Sequence, residues 1–235
     1  MKRLMMLAVL VVAQLGCVSS QGDASMRFLN ARGWEFDSAT NTCTSTVQLF
    51  VTRGSFDISG GADDYLLSLQ VETSNREHGV AVNQVPYTNT GPSDVNLTEL
   101  VYSYAIPAGA KFPTLPKDEE DRVSIHAVFR PNTNPAESYL TLSGLGPMAI
   151  QSIRSGLSTD ADAVVVSVTI KARGRMSGGQ SVESNEIVFP ITVVNSGFNN
   201  RTGRCENGQP PSLYGGTCGR AGQDKGRICP QTPSL

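Results

Sequence analysis

Between about residues 43 and 195, apolar side chains return at every second position, and this period constrains the fold more than any other feature. Val47, Leu49 and Val51 alternate with Gln48, Phe50 and Thr52, and Tyr65, Leu67, Leu69 and Val71 with Leu66, Ser68, Gln70 and Glu72. Leu100, Tyr102, Tyr104 and Ile106 make a third face, and Val123, Ile125, Ala127 and Phe129 a fourth. The longest run sets Val164, Val166, Val168, Ile170 and Ala172 against Val165, Ser167, Thr169, Lys171 and Arg173. After the glycine-rich Met176-Ser177-Gly178-Gly179-Gln180 the alternation resumes with Ile187, Phe189, Ile191 and Val193, the pattern of a hairpin. Only Pro147–Gly156 reads as helical: Pro147 suits a first helical position, Ile150, Ile153 and Leu157 share a face, and Gly156 suits an end. Seven or eight strands and almost no helix predict an all-β fold, an antiparallel two-sheet sandwich of immunoglobulin-like type with one short helix. No repeat is present, so one domain is expected over residues 41–195, with residues 17–40, including the sole tryptophan Trp34, as a lead-in.

Charge narrows the class. Only 17% of the 235 residues are charged, too few for a coiled coil, and 19 basic residues nearly cancel 21 acidic ones. That balance excludes a highly charged disordered chain and disfavours a general nucleic-acid binder. The charge is unevenly placed. The tail, residues 196–235, carries Arg201, Arg204, Arg220, Lys225 and Arg227 against Glu206 and Asp224, a net of +3. This Gly- and Pro-rich tail has few aliphatic residues, cannot bury a core alone and needs cross-links.

The N-terminus reads as an export signal. Lys2 and Arg3 precede ten unbroken apolar residues, Leu4 to Ala13, about half the ~20 needed to span a bilayer. Residues 1–16 are therefore expected to be a signal peptide. The following Gln14-Leu15-Gly16-Cys17 resembles the lipobox of bacterial lipoproteins, departing from it in Gln14, where an aliphatic residue is usual, and in the bulk of Leu15. The resemblance implies that Cys17 is acylated, that the membrane is a partner through this lipid, and that the polar Val18–Ser25 segment is a tether. Val18, rather than aspartate, after the cysteine implies the outer membrane, with the domain facing the periplasm or the surface. Ordinary secretion, with cleavage after Ser20, is the alternative.

Setting Cys17 aside leaves Cys43, Cys205, Cys218 and Cys229, an even number that in an oxidising compartment predicts two disulfides with three possible connectivities. The twelve residues between Cys205 and Cys218 and the ten between Cys218 and Cys229 do not make the close pairs of a zinc site. Cys43 precedes the first clear strand and Cys205 follows the last, so Cys43–Cys205 with Cys218–Cys229 is the expected pairing, on the premise that first and last strands lie side by side.

Three segments carry a wider likeness: Gly54-Ser55-Phe56-Asp57 leading into Tyr65-Leu66-Leu67, Lys171-Ala172-Arg173-Gly174-Arg175 with Gly178-Gly179, and Ser184-Asn185-Glu186-Ile187-Val188-Phe189-Pro190. With the lipobox and the tail they resemble predicted β-sandwich lipoproteins of myxobacteria and related bacteria. That resemblance implies location and architecture, and no activity.

Chemistry is weakly marked. His126 falls on the polar face of its run, with Ser124 and Arg130, and His78 sits in a polar turn, Ser-Asn-Arg-Glu-His-Gly. There is no H-E-x-x-H, G-x-S-x-G or Walker sequence, so no catalytic residue, metal or cofactor is expected and the chain reads as non-enzymatic. Asp57 with Asp63 and Asp64, Asp118 through Asp121, and Asp160 with Asp162 offer oxygen ligands for calcium, but none has EF-hand spacing, and charged turns are the simpler account. Asn96 and Asn200 match the glycosylation pattern, which the bacterial reading leaves unmodified. The leading expectation is a non-enzymatic structural or interaction module of the cell envelope, whose basic tail meets an envelope protein or an anionic polysaccharide. A carbohydrate-binding module is the alternative, with Tyr65, Tyr87, Tyr102, Tyr104, Tyr139 and Tyr214 as candidate platforms. An enzyme with an unmarked site is the second alternative.

Overall fold

The computed structural model describes residues 25–37, 42–60, 64–74, 80–82, 85–87, 94–131, 134–159, 163–199, 204–205, 212–213, 223–224 and 227–228. Along the chain run β1 (Met26–Asp37), β2 (Thr42–Phe50), β3 (Gly54–Asp57), β4 (Leu66–Thr73), β5 (Val80–Val82) and β6 (Val85–Tyr87). β7 (Val95–Ala105), β8 (Asp121–Phe129) and β9 (Tyr139–Ser143) follow, then α1 (Pro147–Gly156), β10 (Val164–Met176), β11 (Ser181–Glu183) and β12 (Ile187–Val194). Four two-residue strands close the list: β13 (Phe198–Asn199), β14 (Arg204–Cys205), β15 (Ser212–Leu213) and β16 (Arg227–Ile228).

The molecule is mostly β. One sheet has the order β2-β1-β4-β9, and a larger one the order β3-β12-β10-β7-β8, with β11 also on β10. β5 with β6, β13 with β14 and β15 with β16 make three small ribbons. The alternation read from sequence sorts side chains as expected: Val164, Val166, Val168, Ile170 and Ala172 are all buried, while Val165 between them is exposed. Buried residues of both large sheets, among them Phe28, Leu69, Tyr102 and Val168, fall in one hydrophobic cluster. The helix is where Pro147 and the Ile150/Ile153 spacing put it, burying Ala149, Ile150 and Ile153.

Three features depart from the expectations. The pairing is not wholly antiparallel, because β3 runs parallel to β12, with Gly54 opposite Ile191 and Phe56 opposite Val193. Trp34 does not precede the strands: β1 begins at Met26, inside the expected lead-in, and sits between β2 and β4. Its pattern, MRFLNARGWEFD, mixes Arg, Asn and Gly into both faces, and its pairings slip between Phe28 and Ala31 and between Arg32 and Trp34, so no clean period survives. Finally, β2, which carries Cys43, and β12, the last long strand, belong to different sheets, so the adjacency premised for Cys43 and Cys205 is not found.

A bulge explains where the alternation of β7 breaks. Gly174 pairs with Leu97 and Arg173 with Glu99, leaving Thr98 as an extra residue. Leu97 and Leu100, three apart, both face inward as a result. Gly174 is required there, since a Cβ would stand 2.1 Å from the Asn96 carbonyl oxygen.

Candidate functional site

Polar groups gather in three places, each built by strand ends meeting across the fold. In the first, Asp121 is the opening residue of β8 and continues the inward parity of Val123 and Ile125. It is 0% exposed and faces the start of α1, where Gly146 provides no side-chain cap. Its carboxylate accepts hydrogen bonds from the Met148 amide (3.2 Å), the Ala149 amide (2.9 Å) and the Tyr104 hydroxyl (2.8 Å), and Tyr104 Oη in turn accepts from the Gly146 amide (2.9 Å). A negative charge against unpaired N-terminal amides supplies what the helix lacks. Burial raises the Tyr104 hydroxyl well above its ordinary range, and the Asp121 hydrogen bond adds to this.

The second lies on the outer face of the larger sheet. Arg173 in β10 stands directly opposite Glu99 of β7 on one side and Glu183 of β11 on the other. Its guanidinium donates to both oxygens of Glu119 (2.9 and 3.0 Å) and to Glu183 (3.1 Å), and lies 3.8 Å from Glu99. Lys171, one strand period away, reaches Glu183 at 2.8 Å and Glu119 at 3.1 Å. Hydrogen bonding from Arg173, then Lys171, lowers the Glu119 carboxyl below its ordinary range, and Lys171 does the same to Glu183. Cations and carboxylates satisfy one another here, as in a structural ion-pair network.

The third is a cradle at the edge of the larger sheet, occupied by the chain's own tail. β3 is an edge strand, and Phe56 within it makes an isolated antiparallel bridge to Gln223. The Gln223 side chain, in a residue 5% exposed, accepts from the Leu66 amide (2.8 Å) and donates to the Leu66 carbonyl (2.7 Å), so it reads β4 of the other sheet as a strand neighbour would. Asp224 accepts from the Tyr65 hydroxyl at both oxygens (2.9 Å each) and from the Ser55 amide (2.9 Å), while its own amide donates to the Ser55 carbonyl (2.8 Å). Tyr65 packs between Phe56 and Phe189, with ring centroids 6.2 and 6.0 Å away. Gly54 leaves the necessary gap: a Cβ there would stand 2.0 Å from Tyr65 Oη and 3.0 Å from Asp224 Oδ1. Burial, then the Asp224 charge, holds the Tyr65 hydroxyl far above its ordinary range.

The residues singled out from sequence fall variously. His126 is exposed on the outer face of β8. Asp57 is buried and accepts from the amides and hydroxyls of Ser59 and Ser196. Glu119 and Asp121 serve the sites above, while Asp118 is exposed and Asp64 half-buried. Among the described residues no three His, Cys, Asp or Glu side chains are placed so that they could hold a metal ion together. Tyr65 and Tyr102 are buried and Tyr104 half-buried, with the Tyr102 hydroxyl donating to the Ser143 carbonyl; Tyr139 is exposed, beneath Arg32 at 5.8 Å. These tyrosines do not share an exposed face. The Asn96 amide donates to Ser177 Oγ. Cys43 lies in β2, and Cys205 is described only as backbone in β14. Cys17, Cys218, Cys229, His78, Asp63, Asp160, Asp162, Asn200, Tyr214, the side chain of Tyr87 and the expected signal peptide lie outside the described residues.

Sequence reasoning missed Gln223 and Asp224 because a glutamine and an aspartate in a Gly-rich tail carry no local pattern. Asp121 did leave a signal, an acid at an inward position upstream of a helix that has no cap of its own. Among the described residues no helix is long and apolar enough to cross a membrane. Comparison with protein-family models, with curated proteins and with solved structures finds no match to this chain.

Proposed function

We propose that this chain is a lipid-anchored cell-envelope protein, acylated at Cys17 and held at the outer membrane, whose β-rich domain is a non-enzymatic structural or interaction module. The observation that carries this reading is the Gly16-Cys17 pair closing the ten-residue apolar run, with the first strand opening at Met26 only nine positions later. That spacing leaves room for a short polar tether and little else. The engagement of Asp57, Asp121, Arg173 and Tyr104 with neighbouring side chains and backbone of the same fold supports a scaffold rather than a catalytic centre. Within the same proposal, the two sheets form a two-layer sandwich of immunoglobulin-like type, and the tail is cross-linked through Cys43–Cys205 and Cys218–Cys229.

Labelling of growing cells with radioactive palmitate tests the anchor. The full chain takes up label and Cys17→Ser does not; absence of label from the unmutated chain overturns the proposal and leaves secretion. Mapping of unreduced peptides tests the pairing, and a Cys205–Cys218 peptide refutes it. Deleting residues 200–235 and measuring polysaccharide binding at low salt tests whether the tail's +3 charge recruits an anionic partner.

A further inference from the structure

The cradle between β3 and β4 has the anatomy of a peptide-binding site. It offers a strand edge at Ser55 and Phe56, the amide and carbonyl of Leu66, and a buried hydroxyl at Tyr65, all aimed at one dipeptide. β-strand addition of this kind takes its affinity from main-chain hydrogen bonds and its specificity from pockets for side chains. Here the specificity is for an amide side chain followed by a carboxylate. The occupant arrives from far along the chain: Gln223 is 157 positions from Leu66, and eighteen positions separate it from Cys205. Eighteen residues extend to about 60 Å at most, longer than a domain of this size is wide.

We infer that this cradle is an exchangeable site, filled within one copy by its own Gln223–Asp224 and filled between copies by the same dipeptide of a second copy of this chain. Every contact made in one arrangement is available in the other, so exchange creates no new interface and costs only the association of two copies. The inference goes beyond the proposed function and stands whether or not Cys17 carries lipid.

Two variants of the full chain, both carrying Cys17→Ser, separate the parts. One combines Gln223→Ala with Asp224→Ala and so has an empty cradle. The other carries Gly54→Ala, whose methyl group meets Tyr65 and Asp224, and so has a blocked cradle and a free tail. Each alone is expected to run as a monomer in sedimentation velocity, and an equimolar mixture to form a 1:1 heterodimer. A labelled peptide, Arg-Ala-Gly-Gln-Asp-Lys-Gly-Arg-Ile, is expected to bind the emptied chain about tenfold more tightly than the unmutated chain, whose own tail competes. The same peptide with alanines for Gln and Asp is expected to bind at least about tenfold more weakly. A mixture that stays monomeric, or a folded emptied chain that ignores the peptide or binds both peptides alike, overturns the inference. Should the double variant lose its β circular-dichroism signal, Asp224→Ala alone replaces it; Gln223 then still holds Leu66, so the labelled peptide is expected to bind this variant more tightly than the unmutated chain by less than about tenfold, and binding no tighter than to the unmutated chain overturns the inference.

Discussion

Asp121 shows how one side chain couples three elements. It opens β8, caps α1 through two amides and holds the Tyr104 hydroxyl on β7, all without solvent contact. Replacing it by alanine leaves those donors buried and unpaired, each costing about 1–3 kcal/mol less whatever relaxation and water recover. Asp121→Ala is therefore expected to destabilise the domain by about 3 kcal/mol in denaturant unfolding. Asp121→Asn, which retains one acceptor oxygen, should lose less. A loss under about 0.5 kcal/mol for the alanine variant, the level of a typical surface substitution, refutes the capping role. Gly146→Ala should weaken the same joint, because its Cβ would stand 2.4 Å from the Asp121 carboxylate. The acidic cluster 118–121 was visible in the sequence as a group of calcium-type ligands, but not its division of labour. Asp118 is exposed, Glu119 binds cations, the Glu120 side chain accepts from the Lys117 amide and Asp121 is buried. Adjacent residues at a turn point in different directions, and only the path of the backbone decides which goes inward.

At the scale of elements, β10 organises the larger sheet, with β7 on one side and β11 and β12 on the other. Its polar face ends in Lys171 and Arg173, flanked by carboxylates from neighbouring strands and from the turn before β8, where Glu119 takes a left-handed conformation with φ 61°. The Glu119 carboxyl titrates lower in the folded than in the unfolded chain, so its contribution is present above the ordinary carboxylate pKa and disappears as pH falls through the lowered folded value. Thermal midpoints compared from pH 7 downward should show the unmutated chain losing its advantage over Glu119→Gln on entering the acid range. The gap should also narrow with added salt, because the group is open to solvent. An advantage unchanged by acid refutes the ion-pair account. The bulge gives a second expectation. In Gly174→Ala the obstructing atom is backbone, which cannot swing aside, so a loss of about 1–3 kcal/mol should appear in denaturant unfolding. A change near zero shows that β7 slides to make room. Strands with a clean period were legible at this scale, as was the helix. The slipped β1, the four-residue β3 and the bulge at Thr98 were not, because their pairing is set by a partner rather than by their own pattern.

Across the whole molecule, the buried tyrosines record how tightly the sheets and the tail close. Tyr65, Tyr102 and Tyr104 all have hydroxyls raised above the ordinary value of 10.0, chiefly by burial, with Asp224 reinforcing the first and Asp121 the others. Groups raised in this way stabilise the fold fully below about pH 10 and lose that contribution as pH climbs beyond it, since the unfolded chain ionises first. Alkaline titration followed by tyrosinate absorbance should therefore count fewer than the six tyrosines until the β circular-dichroism signal collapses, and the remainder should appear together with that collapse. Smooth ionisation of all six before unfolding refutes the burial. The period of two, the one helix and the change of character near residue 195 could be read from sequence alone, because each is a local property of neighbouring residues. The proposal of an exported, lipid-bearing N-terminus likewise rests on a local stretch of sequence. Which strands pair, that β3 runs parallel to β12, and that Gln223 and Asp224 return to close the edge are decided only in three dimensions. Those contacts join residues as much as 169 positions apart, and their stability depends on complementary donors, acceptors and a vacant space at Gly54 that no local stretch of chain contains.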